Sequence, residues 1–317
     1  MEKETEEDRE KLGVMMSRIG QELETWEINQ LAKLRQITRS RYDYLTLQDE
    51  NSHDEIERKA ARKASVGTRP DRHWFLVNDS IIKTDRLMTI TRISEKSPLL
   101  QLYDDEDAQK AVFELFLALQ HPFIQPVLDI NYKLVKEQMY VVIVFPFNKT
   151  GCLKDLIYNT KCQDTFAGKN NTSSSKPLEV AQIRTYGRQI LEAILFLRDY
   201  REFPPIGEHL HSGNVIIQDG VARLTGYENI ILGLRSKSHP TLRKKLKSHP
   251  ESIDTISFGY IIFEMCTGGQ LDTLHPSFKQ LDTIHKRYAE VIQVLKYIFN
   301  MNEDFPKLEE VSFTFFY

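Results

Sequence analysis

The sequence predicts an α+β fold in two lobes: a small antiparallel sheet with one helix, then a mainly helical part, preceded by a charged helical extension. Three observations carry this. Short runs of strand-forming residues cluster between Trp74 and Phe145. Helical periods dominate after Gly151. Residues 1–70 are polar and highly charged. A strand-rich stretch followed by a helix-rich one is the pattern of two separately built lobes. The boundaries expected are an extension and flexible linker over 1–70, a sheet lobe over about 71–147 and a helical lobe over about 148–317.

The whole chain narrows the function classes. Hydrophobic residues make up 41% and charged residues 27%, a globular balance. The net charge of −3 gives no global pull toward nucleic acid or an anionic membrane. No apolar run approaches the roughly 20 residues of a membrane span. The acidic start MEKETEEDRE does not read as a secretory signal. Cys152, Cys162 and Cys266 lack CxxC spacing, so they read as cytosolic thiols. The expected location is cytoplasmic.

In chain order, Leu12, Met16, Ile19, Leu23 and Trp26 form one helical stripe. It reads either as a helix lying on the domain behind it or as a short partner-docking helix. Residues 48–70 lack an apolar period and read as a linker. Trp74–Val77, Leu87–Ile90 and Leu99–Tyr103 read as strands. Asp104 to Leu119 reads as a helix with Ala111, Leu115 and Ala118 or Leu119 on one face. Val127-Leu128 and Tyr140–Phe145 read as two more strands, the second buried. Leu153–Tyr158 starts a helix, and 159–177 reads as a mobile insert. Val180 to Tyr200 is a long helix with Ile183, Ile190, Ile194 and Leu197 inward. Ile253–Cys266 is apolar nearly all round and reads as a buried helix. Tyr288–Phe299 reads as another helix.

Several motifs, in order and spacing, resemble a protein kinase over residues 73–317. Gly151-Cys152-Leu153 resembles the segment after a kinase hinge. Glu208-His209-Leu210-His211-Ser212-Gly213-Asn214 resembles a catalytic loop, and Gly226-Tyr227-Glu228 a metal-binding loop. His249-Pro250-Glu251 resembles A-P-E. Asp254-Thr255-Ile256-Ser257-Phe258-Gly259 resembles the start of the central helix. A narrower resemblance is carried by Leu210–Val215, Arg223–Asn229 and Leu232-Gly233-Leu234. These are similar to the slowpoke-binding proteins of insects and, more distantly, to the PX-domain kinase-like proteins, although no PX domain is read here.

Set against the kinase parts, the catalytic set is degenerate. No glycine lies between Trp74 and Ile90, where a phosphate-covering loop is expected. The lysine position aligns with Gln101 and its glutamate partner with Val112, Glu114 being two residues away. In the catalytic loop Glu208 stands at the Arg, His209 at the Asp, and Asn214 is retained. Gly226 replaces the metal-binding Asp, and Phe145 stands at the gatekeeper position. Phosphoryl transfer depends on positioning and on charge neutralisation by Lys and Mg²⁺. The expectation is therefore a pseudokinase with no catalytic, cofactor or metal residues. His209-Leu210-His211 does not read as a metal site, because two histidines at i, i+2 lack a third ligand.

The segment after Tyr227 is basic. It carries Arg235, Lys237, Arg243, Lys244, Lys245 and Lys247, with no acid from Asn229 to Pro250. It reads either as a solvated loop or as a docking surface for an acidic partner. Arg235-Ser236-Lys237-Ser238-His239-Pro240 fits the R-S-x-S-x-P pattern that 14-3-3 proteins bind when the second serine, Ser238, is phosphorylated. Ser65, after Arg62-Lys63, is a weaker phosphorylation candidate. Phe305 stands where a kinase arginine would pair Glu251. The family resemblance implies a regulator of a calcium-activated potassium channel, reached at the membrane only through that partner, with 14-3-3 as a co-regulator. The alternatives are a divergent ATP-dependent transferase using His209, Asn214 and Glu228, and a general signalling scaffold.

Overall fold

The computed structural model describes residues 65–69, 72–79, 82–93, 105–135, 138–161, 175–200, 203–234, 252–271, 273, 275–282, 284–299 and 305–315. They fall into two compact units that divide at Phe147/Asn148, with His121–Gln125 joining the second unit.

The first unit is an antiparallel five-stranded sheet with one helix. Its strands are β1 (Ser65–Arg69), β2 (Arg72–Asn78), β3 (Asp85–Arg92), β4 (Asp129–Val135) and β5 (Gln138–Pro146), in the order β1-β2-β3-β5-β4. Branched and aromatic residues recur along β5, where Val141, Ile143, Val144 and Phe145 are all buried. Val77, Met88, Ile90 and Val144 form the core on one face, with Phe75, Leu128, Tyr140 and Val142 against them. Helix α1 (Glu106–Ala118) is started by Asp105, whose carboxylate accepts the N–H groups of Asp107 (2.9 Å) and Ala108 (3.1 Å).

This sheet corrects three sequence expectations. Strand β1 lies inside the stretch that composition reads as linker; Val66 and Thr68 suit a strand, and β2 supplies its partner. β4 begins at Asp129, just after the expected Val127-Leu128. The buried face of α1 is Val112, Phe113, Leu115 and Phe116, and Ala111 and Ala118 are only half-buried. Strand β3 pairs residue by residue with β2 on one side and β5 on the other. The expected strand Leu99–Tyr103 lies outside the described residues. Gln101 lies outside the described residues.

The second unit is mainly helical. Helix α2 (Leu153–Tyr158) is followed by the 20-residue α3 (Val180–Asp199). Ile183, Tyr186, Ile190, Ile194 and Leu197 are buried on α3 at spacings of three and four, as its amphipathic period demands. Two 3₁₀ turns, Gly207–His209 and Ser212–Asn214, lead into the hairpin β6 (Val215–Gln218) and β7 (Val221–Leu224) and the short α4 (Glu228–Ile231). Helix α5 (Ile253–Thr267) is buried nearly all round, including Asp254, Thr255, Ser257 and Glu264. It packs between α3 and α7 (Ala289–Ile298). Two shorter helices, α6 (Phe278–Asp282) and α8 (Leu308–Phe315), complete the described unit. Among the described residues, no helix is long and apolar enough to cross a membrane.

Candidate functional site

The base of the catalytic-loop region is built by α5. The Asp254 carboxylate accepts the Gly207 N–H at 2.6 Å, and the Ser257 hydroxyl donates to the Gly207 carbonyl at 3.1 Å. Both polar groups of one peptide position are thus satisfied inside the protein. Gly207 has φ +54, and a Cβ there would sit 2.8 Å from Ile253 Cδ1, so glycine is required on two counts. Burial pushes the Asp254 carboxyl up to about 6, against the opposing pull of the Gly207 and Ile206 backbone N–H groups and the Arg198 charge.

The loop is also tied at its far end. His209 is buried and its Nε2 lies 2.9 Å from the Leu234 carbonyl, so Nε2 carries a proton and donates it. That nitrogen is committed to the backbone and does not serve as a proton acceptor. The Asn214 amide donates to the His209 carbonyl at 2.8 Å, and the Asn214 carbonyl accepts the Thr225 N–H at 2.8 Å. Asn214 therefore stitches the loop to the strand that follows it. The Asn148 side chain donates to the Ile217 carbonyl and the Gly151 carbonyl accepts the Ile217 N–H, anchoring β6 from the other side.

At Gly226, φ is +91, and a Cβ would overlap the Asn214 side-chain amide and lie 3.2 Å from the His209 carbonyl oxygen. Tyr227 is fully buried and its hydroxyl donates to the Gln125 carbonyl at 3.0 Å. Glu228 is buried, and its Oε2 accepts the Gly226 N–H at 2.7 Å. The Asn229 amide donates to the Gly226 carbonyl at 3.0 Å. These residues do not fit a metal–nucleotide group. Gly226 offers no carboxylate, the space a Cβ would need is taken, and Glu228 turns back onto the chain. Among the described residues, no group of three or more His, Cys, Asp or Glu side chains is placed to hold a metal ion.

Glu208, His209, Asn214, Gly226 and Glu228 thus come together in one loop cluster, as the motif spacing predicts. The lysine position is different. Strand β3 holds the third place in the sheet and contains no lysine; its cations are Arg86 and Arg92. Glu114, near the expected partner position, pairs with Lys110 at 3.7 Å on its own helix. Ser65 opens β1. Arg235, Lys237 and Ser238 lie outside the described residues, as do the helical stripe from Leu12 to Trp26 and Glu251. Sequence reading missed two features. One is the Tyr227–Gln125 tie, for which the only local signal is a tyrosine where kinases carry phenylalanine. The other is the buried Glu264, whose carboxyl burial pushes up, opposed by Ser212, Tyr158, the Lys154 charge and Gln270.

Three relatives share this domain. The chain is 41% identical over 234 residues to Slowpoke-binding protein of Drosophila melanogaster, covering 74% of this chain and 45% of that protein. The chain is 31% identical over 255 residues to "Probable inactive serine/threonine-protein kinase slob2" of Dictyostelium discoideum, covering 78% of this chain and 42% of that one. It is 38% identical over 212 residues to the PX domain-containing protein kinase-like protein of Mus musculus, covering 66% and 34%. The chain therefore spans less than half the length of each of these relatives. Among solved structures, the PAN3 pseudokinase of Neurospora crassa (a mutant) matches at a TM-score of 0.48 and 14% identity, over 76% of this chain and 55% of that one. No protein-family model matches the chain. The fold is mixed α+β, a small antiparallel sheet with helices, in the sheet order described above.

Proposed function

We propose that this chain is a non-catalytic, kinase-like regulatory protein that acts by binding. The observation that carries the reading is Gly226. It stands where a kinase presents its metal-binding aspartate, and its neighbour Asn214 fills the space a side chain would use. The tied Nε2 of His209 and the inward Glu228 support the same reading. One relative carries "inactive" in its name, which agrees with it.

The partner proposed is a calcium-activated potassium channel of the slowpoke type, on the strength of the likeness to Slowpoke-binding protein. The chain would act from the cytoplasm, reaching the membrane through the channel. We further propose that Ser238, once phosphorylated, recruits a 14-3-3 protein; the support is the R-S-x-S-x-P spacing and the basic residues around it.

Two experiments test these statements separately. A thermal-shift titration with ATP, with and without Mg²⁺ or Mn²⁺, is expected to show no metal-dependent stabilisation. A metal-dependent shift, followed by phosphate transfer that is lost in Asn214→Ala, would overturn the binding reading. Co-precipitation with the channel from neuronal or muscle membranes tests the partner. Retention of 14-3-3 by the phosphorylated wild type and by Ser238→Ala alike would sink the Ser238 assignment.

A further inference from the structure

The helical unit carries an open cleft of about 540 Å³, and none of its lining residues belongs to the loop cluster above. Its floor includes Phe263 and Cys266 of α5 together with Tyr288, all buried. Its rim includes Gln280, His285 and Arg287, all exposed. Tyr288 is held rigidly: its hydroxyl donates to the Leu178 carbonyl at 2.9 Å, and the Arg287 guanidinium lies 4.7 Å above its ring.

The rim chemistry is one-sided. His285 Nδ1 accepts the Arg287 N–H at 3.1 Å, so in the neutral ring the proton is on Nε2, a donor. Gln280 turns its carbonyl oxygen to Ser277, accepting the backbone N–H at 2.8 Å and the hydroxyl at 3.0 Å. Its other polar end is the amide NH₂, again a donor. Arg287 has donors alone. Among the described residues, no carboxylate lines the cleft.

The acids near it have cations of their own. Asp282 pairs with Lys296 at 3.4 Å, and Glu290 pairs with Arg184. Glu179 lies 3.5 Å from Arg287 Nη1; its own side chain is largely in water and that of Arg287 is about half exposed, so the pair is weak and exchangeable, while Arg287 Nη2 donates to the Tyr288 hydroxyl. Lys279 and Lys286, chain neighbours of the rim residues, are exposed and have no ion-pair partner among the described residues. The cleft is thus apolar below and cationic above.

The chemistry of the cleft disfavours two other occupants. Burial pushes the Cys266 thiol up to about 12, so it stays protonated and unreactive, which argues against a covalent site. The exposed rim would leave a small ligand half in water, whereas pockets for small molecules enclose most of theirs.

We propose that this cleft docks an acidic peptide segment of a partner protein. One apolar side chain of the segment sits on Phe263 and Tyr288, and flanking carboxylates meet Arg287 and His285. The inference stands independently of the channel reading. The test is selection of a displayed library of short random peptides on the full chain, with recovered peptides measured by fluorescence polarisation. Recovered sequences are expected to share carboxylates around an apolar anchor. Arg287→Ala should weaken them about tenfold, and Lys286→Glu about threefold. Glu179→Gln should tighten them, because it releases Arg287 while keeping an acceptor at the start of α3. Binding should weaken as salt rises. No enrichment over the Arg287→Ala chain, recovery of basic or uncharged sequences, or unchanged affinity in Glu179→Gln would overturn it. So would a thermal shift with dodecanoate in the absence of peptide enrichment, which would mark a fatty-acid site instead. These substitutions are at exposed positions, and an unchanged unfolding midpoint checks that each variant is folded.

Discussion

The two ends of the catalytic-loop region have been treated differently. At its base, Gly207 is clamped by Asp254 and Ser257 from a buried helix, and every polar group of that peptide has a partner. At its far side, the Gly226 N–H, the Tyr227 hydroxyl and the Glu228 carboxylate are all bonded to the chain itself. The base serves the fold, so any change there costs stability whether or not catalysis is needed. The far side serves chemistry, and without chemistry it is free to be re-used for packing. The difference teaches that a kinase frame and kinase catalysis rest on separable sets of bonds.

That contrast can be broken at either end. The largest effect is expected from Gly226→Asp, which puts a side chain at φ +91 against Asn214. It should destabilise the chain by about 4 kcal/mol, from backbone strain plus overlap, and should not create Mg²⁺-dependent ATP binding. Denaturant unfolding and a nucleotide thermal shift measure both; a stable variant that gains metal-dependent binding would show that only the carboxylate was missing.

Next comes Asp254, whose folded-state carboxyl titrates near 6, above its unfolded value of 3.8. The folded state therefore binds the extra proton between those values. The stabilisation this gives is full below about 3.8 and is lost as pH rises through about 6. Asp254→Asn has no such titration and keeps an acceptor for Gly207. Relative to wild type, it should gain on the order of 3 kcal/mol as pH goes from 4 to 7. A pH-independent difference between the two would mean that Asp254 does not titrate in this range.

Gly207→Ala tests the base from the backbone side. It places a Cβ near Ile253 at positive φ and should cost about 2 kcal/mol, because Ile253 can give way in part. The smallest effect belongs to Tyr227→Phe, which removes one buried hydrogen bond and keeps the ring. The expected loss is about 1 kcal/mol, and a change within error would show that the ring alone holds the loop.

Much of this was legible in the sequence. The period of α3 named Ile183, Ile190, Ile194 and Leu197 as inward, and the apolar composition of α5 marked it as a buried helix. The sheet was read less well. β1 offers only Val66 and Thr68 as strand formers within a charged stretch, so its pattern does not stand out from the linker composition around it. What makes it a strand is its pairing with β2, and a single chain does not display its partners. The committed Nε2 of His209 and the inward Glu228 were equally out of reach. Both depend on where Leu234 and Gly226 are in space.

The Tyr227 hydroxyl bond to Gln125 has a further consequence. A loop that can turn over between two arrangements gives a protein a population to shift, and a ligand or modification acts by favouring one member. Here the ring is buried and its polar end is bonded, so turning it out would expose the ring and leave the Gln125 carbonyl without that donor. The equilibrium that many switches exploit is thereby weighted to one side before any partner arrives.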